Sequence, residues 1–224
     1  PHRFTKKEDI EIAGFLAATI AWGNRTSIIK NANKMMNLMD EAPFDFIVNH
    51  QASDLDDFDG FVHRTFKATD LKYFIQALKN LYVNKGGLEF SISQHASKMP
   101  LQLALHHFKK DFFELPHQLR TQKHLADPLK GSAAKRINMY LRWMVRPNTL
   151  GVDFGLWKSI HPRALSCPLD VHSGTVARKL GILKRKQNDT KAVLELDKQL
   201  RIMDSDDPVK YDFALFGLGA FEKF

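Results

Sequence analysis

The sequence predicts an all-α protein, because helical spacing of apolar residues and helix-boundary signals recur along nearly the whole chain. Apolar residues return every three or four positions, as in the series Ile12, Phe15, Leu16 and Ile20, whereas the alternation typical of strands is scarce. Capping residues precede these series, and glycine or proline follows several of them. A chain of 224 residues is long enough to bury a sizeable core.

Each predicted helix has a recognisable start or end. The first predicted helix begins at a capping box over residues 5–8. The next ones span Thr26 to Met39, Thr69 to the glycines at 86 and 87, and Leu101 to just before Pro116. The later ones span Ser132 to Arg146, Asp170 to about Gly181, and Asn188 or Asp189 to Met203. Pro208 stands where the first turn of a last helix tolerates proline.

The charge balance points to a polyanionic partner. Lysine and arginine number 33 against 25 acidic residues, which gives a net charge of +8. A plain basic surface accounts for this excess equally well, but the charge is concentrated in two segments. The basic residues of these segments are Arg120, Lys123, Lys130, Lys135, Arg136, Arg142 and Arg146 in the first, and Arg178, Lys179, Lys184, Arg185 and Lys186 in the second.

Several classes of protein are excluded by composition. The one cysteine, Cys167, rules out an internal disulfide framework and a cysteine-ligated iron–sulfur cluster. No apolar run approaches the roughly 20 residues that span a membrane, and the histidines lack the spacing of a metal site. We therefore expect a cytoplasmic monomer without metal, cofactor or membrane contact. The start at Pro1, just before a capping sequence, suggests that further residues precede it.

The segment from Gly131 to Arg146 combines a turn with a basic helix. Lys135, Asn138, Met139, Arg142 and Arg146 share one face of the predicted helix, opposite an apolar face. A turn that leads into a helix start presents free backbone N–H groups, to which phosphate binds readily. We therefore expect contacts with DNA phosphates in this segment, from Lys130, Gly131, Ser132, Arg136, Arg142 and Arg146.

The second informative segment spans residues 166–181. Pro168 fixes the approach of the chain, and Asp170 falls at a helix start, where backbone N–H groups and the helix dipole favour an anion. An aspartate at this position is most often just a helix cap. The local sequence therefore leaves both roles open for Asp170.

Together, these two segments resemble the helix-hairpin-helix DNA glycosylase superfamily. Residues 135–142 are similar to its lysine-bearing helix, and residues 168–172, followed by 176–181, are similar to its Pro-x-Asp-x-His-type element. Residues 15–26 look like its early helix, whose following turn places a side chain into DNA. More closely, the chain looks like a bacterial family distantly similar to archaeal 8-oxoguanine DNA glycosylases.

The resemblance implies two helical lobes with a hairpin-bearing DNA-binding cleft. It implies one glycosylase-like domain over residues 1–224, with a central lobe at about 25–130 and a second lobe made of 1–24 and 131–224. The chain departs from the superfamily pattern in its hairpin, where Asp127-Pro-Leu-Lys-Gly131 replaces Leu-Pro-Gly-Val-Gly. It also has a longer gap between Lys135 and Asp170, so residues 147–162 would have to loop out.

The implied function is excision of a damaged base, perhaps an oxidised purine, from duplex DNA. Lys135 would attack the sugar and form a Schiff base, which permits strand cleavage as an AP lyase. Asp170 would stabilise the positive charge that develops on the sugar. The amine must first lose its proton, and Arg136 and Arg142 are candidate cationic neighbours that favour this.

Other residues are weaker candidates. Trp22, Asn24 and Arg25 form the turn predicted to enter DNA, although Trp22 is equally well explained as a core residue. His172 follows the Asp element as a further DNA contact. The remaining candidates for the base pocket are Tyr140, Trp143, Trp157, Asp212, Phe213 and Phe216, of which the aromatic residues at helical spacing are more often core.

Two alternatives remain open at this stage. The chain could be a nucleic-acid-binding protein that keeps the scaffold without catalysis, in which case Lys135 would only contact phosphate. It could also be a helical interaction protein with a basic surface, in which case binding to DNA would be absent or insensitive to salt.

Overall fold

The computed structural model describes residues 1–149, 151–222 and 224, and these residues are predominantly helical, as the sequence predicts. Their α-helices are α1 (Lys7–Thr19), α2 (Arg25–Asn37), α3 (Pro43–Asn49), α4 (Ala68–Asn84), α5 (Gly87–Ala96), α6 (Leu101–Phe112), α7 (Lys135–Val145), α8 (Val171–Lys179), α9 (Thr190–Met203) and α10 (Asp212–Ala220). Short 3₁₀ segments cover Ala52–Phe58, Leu119–His124, Pro128–Lys130, Pro162–Ala164 and Pro208–Tyr211. Among the described residues, no helix combines the length and apolar character that crossing a membrane requires.

One short β-hairpin interrupts the helices. Strand β1 (Val62–His63) pairs antiparallel with β2 (Phe66–Lys67), with Val62 opposite Lys67 and His63 opposite Phe66. Strands of two residues are too short to produce the alternating pattern by which a sequence reveals a strand.

The predicted helix caps are right at two helices and wrong at three others. The helix predicted to start at Thr69 begins at Ala68, after the N-cap residue Lys67. Asp170 and Asp189 cap α8 and α9, as expected. The capping box over residues 5–8 does not form, because α1 begins at Lys7 after an N-cap residue, Lys6, that makes no side-chain cap. Ser132 is not the cap of α7 either, since that helix begins three residues later.

The chain divides into two compact units. The first unit comprises Pro1–Gln94 and Phe108–Leu125, and the second comprises His95–His107 and Ala126–Phe224. This division differs from the predicted lobes, which grouped residues 1–24 with 131–224. Residues 1–24 belong to the first unit because α1 packs against α2 and α3.

The core of the first unit is built from aromatic rings. The ring centroid of Phe15, on α1, lies 6.1 Å from that of Phe74 and 5.5 Å from that of Phe112. Phe74 and Phe112 are themselves 4.9 Å apart. Burying each such ring contributes about 1.5–3 kcal/mol to folding, which explains why α1 belongs to this unit.

The core of the second unit brings together α8, α9 and α10. Its buried members are Cys167, Leu169, Val176, Ala177, Leu183, Ala192, Val193, Leu196, Leu200 and Leu215. This packing fixes the N-terminus of α8, where Asp170 lies.

Candidate active site

Lys135 and Asp170 lie side by side in the second unit, although 35 positions separate them in the sequence. The Lys135 Nζ atom is 3.3 Å from the Asp170 Oδ2 atom. The Lys135 side chain is 34% exposed and that of Asp170 is 18% exposed. An amine and a carboxylate thus form an ion pair that solvent reaches.

Asp170 serves as the helix cap and as the partner of Lys135 at the same time. Its Oδ1 atom accepts hydrogen bonds from the backbone N–H of Ser173 at 3.0 Å and from the Ser173 hydroxyl at 3.2 Å. The Asn188 side chain donates to the Asp170 carbonyl oxygen at 2.9 Å. Since Oδ1 satisfies the helix, Oδ2 is left to face Lys135.

A tight turn over residues 127–134 places Lys135. Asp127 accepts from the backbone N–H of Leu129 at 3.1 Å, and Gly131 adopts the left-handed region with a φ of 88°. The Ser132 hydroxyl accepts from the N–H of Ala134, which is buried at a φ of 49°. A left-handed residue other than glycine costs about 1 to 2 kcal/mol, so the surrounding packing enforces the direction in which α7 and Lys135 leave the turn.

The tip of this turn is open to solvent. Lys130 and Gly131 are exposed and Ser132 is half-buried. These three predicted phosphate contacts therefore remain predictions. Arg136 is half-buried, and burial lowers the pKa of its guanidinium group to about 10.

The surroundings of Arg142 and Arg146 disfavour the predicted contacts with DNA phosphates, which remain predictions. Arg142 is 1% exposed, and its Nη2 atom lies 3.0 Å from Asp153 Oδ2. Arg146 Nη1 lies 2.7 Å from the same Asp153 oxygen, and Arg146 Nη2 lies 2.8 Å from Asp207 Oδ2. Both guanidinium groups are therefore held by carboxylates of the protein.

The acidic partners come from segments that the sequence analysis did not connect to α7. The segment predicted to loop out, residues 147–162, folds back on α7, although its Leu150 lies outside the described residues. The backbone N–H of Trp157 donates to the Met144 carbonyl oxygen at 2.9 Å, and Trp157 is buried against Tyr140. Tyr140 and Trp157 are thus core residues. No local pattern reveals that Asp153 and Asp207 meet the same helix.

Asp212, at the start of α10, adds a further carboxyl to the site. Burial raises its pKa to about 6, and the charges of Arg142, Asp170 and Lys135 act on it. Its Oδ2 atom lies 3.4 Å from Arg142 Nη1. Asp212 is therefore a protonatable group within electrostatic reach of the Lys135–Asp170 pair.

Aromatic residues of α10 lie nearby. The Phe213 ring is 44% exposed and covers the Arg142 guanidinium group at 3.6 Å. His172 is exposed, and its ring centroid lies 5.6 Å from that of Phe216. The two aromatic candidates on α10, Phe213 and Phe216, thus belong to the same unit as the ion pair.

The other predicted DNA-contacting residues lie in the first unit. Asn24 caps α2 by accepting from the Ser27 N–H at 3.2 Å, and Arg25 is exposed. Trp22 is half-buried, with its ring centroid 5.0 Å from that of His63 and 6.0 Å from that of His124.

Sequence reasoning missed a residue beside this turn. Exposed Arg64, at the tip of the β-hairpin, has a φ of 55°. Gly23 has a φ of 97°, which favours glycine, and a Cβ atom there would lie 2.9 Å from Arg64 Nη1. The contact joins segments that are 41 positions apart, and neither segment has a pattern that would have indicated it.

Comparisons with known proteins identify the family of the chain. No curated protein and no solved structure matched it. One family model, described as protein of unknown function DUF2400, matches residues 1–221. Since this match covers nearly the whole chain, the chain belongs to the DUF2400 family.

Proposed function

We propose that this protein is a DNA base-excision repair glycosylase with AP lyase activity. The observation that carries the proposal is the 3.3 Å contact between Lys135 Nζ and Asp170 Oδ2 in a partly exposed position. The resemblance of the sequence to the helix-hairpin-helix glycosylases implies the same two residues as nucleophile and charge stabiliser. The hypothesis requires the Lys135 and Asp170 side chains to lie close together, because two side chains on opposite surfaces could not act on the same sugar.

The proposed reaction begins with attack on the sugar. The ammonium group of Lys135 first gives up a proton to solvent. The neutral amine then bonds to C1′ while the bond between C1′ and the base nitrogen breaks, and the base leaves with that electron pair and takes up a proton. Positive charge builds on the sugar in the transition state, where the carboxylate of Asp170 stabilises it. Such electrostatic stabilisation typically accelerates a reaction by about 10²- to 10³-fold.

The second stage explains the lyase activity. The nitrogen bound to C1′ loses a proton, and its lone pair forms a C1′=N Schiff base as the C1′–O4′ bond breaks. O4′ keeps the electron pair of that bond and takes up a proton. Loss of a C2′ proton then expels the 3′ phosphate and cuts the strand. The same intermediate can be reduced by borohydride, which adds hydride to the imine carbon and makes the bond to Lys135 permanent.

The proposed substrate is duplex DNA with a damaged base, and an oxidised purine such as 8-oxoguanine is our first choice. Extrusion of the base costs a few kcal/mol, which phosphate contacts and stacking in a pocket recover. Two residues support a pocket near the ion pair. Phe213 has an exposed ring, and the Asp212 carboxyl interacts electrostatically with Lys135 and Asp170. We propose that these two residues flank the extruded base.

The experiment is a strand-cleavage assay on duplexes that each carry one lesion. The wild-type protein is expected to cut at one or a few lesions, and Lys135→Gln is expected to abolish cutting. Lys198→Gln is the matched control, since it removes an exposed positive charge from the same unit at a residue with no proposed role in binding or catalysis. Absence of cutting at every lesion by wild-type protein that binds DNA would favour a catalytically inactive binding protein.

A further inference from the structure

The loop between α8 and α9 is attached to the turn that precedes Lys135. Ser132 and Asp189 form an antiparallel bridge, and the Thr190 N–H donates to the Gly131 carbonyl oxygen at 3.3 Å. The Thr190 hydroxyl donates to the Ser132 carbonyl oxygen at 2.7 Å. The first turn of α9 and the turn over residues 127–134 therefore form one continuous surface.

Two arginines of the loop region hold the loop in place by hydrogen bonds to its other residues. Arg185 Nε donates to Asp189 Oδ1 at 2.7 Å. Arg178 donates through Nε to the Arg185 carbonyl oxygen at 2.8 Å and through Nη2 to Asn188 Oδ1 at 2.6 Å. The two arginines of the second basic segment are thus engaged by the protein, and a phosphate would have to displace these contacts.

Three lysines that are neighbours in sequence of these bonded residues have a different environment. Lys130 precedes Gly131, Lys186 follows Arg185, and Lys191 follows Thr190, so each is adjacent to a residue of the contacts described above. All three are exposed. Within residues 1–149, 151–222 and 224, none of their ammonium groups makes an ion pair or a hydrogen bond. Three positive charges are therefore available to an external anion.

We infer that Lys130, Lys186 and Lys191 form a phosphate-binding surface for the backbone of duplex DNA. Each ammonium group is a compact point charge that suits a phosphate oxygen without demanding a fixed geometry. The arginines fix the loop so that the lysines on it keep their positions relative to the turn. The choice of DNA as the source of the phosphates rests on the proposed function.

The test is the salt dependence of binding to a lesion-free duplex, measured by fluorescence anisotropy. The triple variant Lys130→Gln, Lys186→Gln, Lys191→Gln is expected to bind more weakly. Its log–log slope against salt should be less steep by about 2.7, because each neutralised phosphate contributes about 0.9. The control triple variant Lys98→Gln, Lys110→Gln, Lys198→Gln removes three other exposed lysines and should keep the wild-type slope.

Specific outcomes would overturn the inference. An unchanged slope in the first triple variant, or an equal loss in both variants, would contradict it. Binding of anionic phospholipid vesicles instead of DNA, lost in the first variant, would reassign the surface to a membrane. The slope is independent of catalysis, so a protein that shows the predicted slopes but cuts no lesion would refute the glycosylase proposal and leave this surface intact.

Discussion

Helix α7 carries two sets of ion pairs that differ in nearly every physical respect. At its first residue, Lys135 meets a single carboxylate in a position that solvent reaches. Two turns later, Arg142 is buried between Asp153 and Asp212, and Arg146 joins the same cluster. The position of a cation on a basic helix therefore does not decide its role. The surrounding carboxylates and the access of solvent decide whether the cation is open to an external partner or only supports the fold.

The largest expected effect concerns the buried set. Arg142→Met removes a buried cation, so that buried Asp212 loses its arginine and Asp153 keeps only Arg146, which costs about 3 to 5 kcal/mol. Lys135→Gln should change the free energy of unfolding by less than about 1 kcal/mol, because exposed pairs contribute little. Urea unfolding of both variants checks the contrast. Equal destabilisation by the two substitutions would remove the distinction between the two sets.

The pH dependence of stability provides a second way to sharpen the comparison. Burial raises the pKa of Asp212 to about 6, whereas an unfolded aspartate titrates near 4. Between these values the folded protein retains a proton that the unfolded chain has lost, so this carboxyl lowers the free energy of unfolding as pH rises. The contribution is up to about 3 kcal/mol, from about 1.4 kcal/mol per pKa unit.

Asp212→Asn mimics the protonated carboxyl and should remove this contribution. The free energy of unfolding of the variant, relative to wild type, is expected to increase as pH rises from about 4 to about 6. Buried Asp197, whose pKa burial also raises to about 6, is present in both proteins and cancels in the difference. Urea unfolding of both proteins at a series of pH values measures this difference in the free energy of unfolding. A difference that stays constant or declines across this window would contradict the account.

A smaller effect separates the two roles of Asp170. Asp170→Ala removes the cap of α8 and should cost about 1 kcal/mol of stability, whereas Asp170→Asn should cost only a few tenths because asparagine caps equally well. Both variants lose the charge beside Lys135, so base release should fall by about 100-fold or more in each. Thermal unfolding and single-turnover base release together check the prediction. Full activity in Asp170→Asn would reduce Asp170 to a cap.

Sequence alone predicted the features that depend on local patterns. The all-α class and the caps at Asp170 and Asp189 follow from periodicity and residue type within a few positions. Gly86 and Gly87 predict a helix end, but Gly87 also begins α5, because glycine can adopt the φ of 85° at that start. Pro43 similarly follows one helix and begins α3.

Features that depend on distant contacts were not predictable from local patterns. The pairing of Lys135 with Asp170 was expected from resemblance, since neither residue indicates the other locally. Arg142 and Arg146 were expected on a DNA-binding face because the helical pattern shows only which side a residue occupies. Their ion pairs depend on Asp153 and Asp207, which reach the two arginines through tertiary packing.

Peptide mapping of a borohydride-reduced complex tests directly whether Lys135 is the nucleophile. The wild-type protein is incubated with lesion-bearing duplex, reduced, digested with protease and nuclease, and analysed by mass spectrometry. One modified peptide is expected from the wild-type protein, with the reduced sugar remnant on Lys135. No modified peptide is expected from the Lys135→Gln protein. An adduct on Lys130 or another lysine, or robust trapping by Lys135→Gln, would contradict the assignment of Lys135 as the nucleophile.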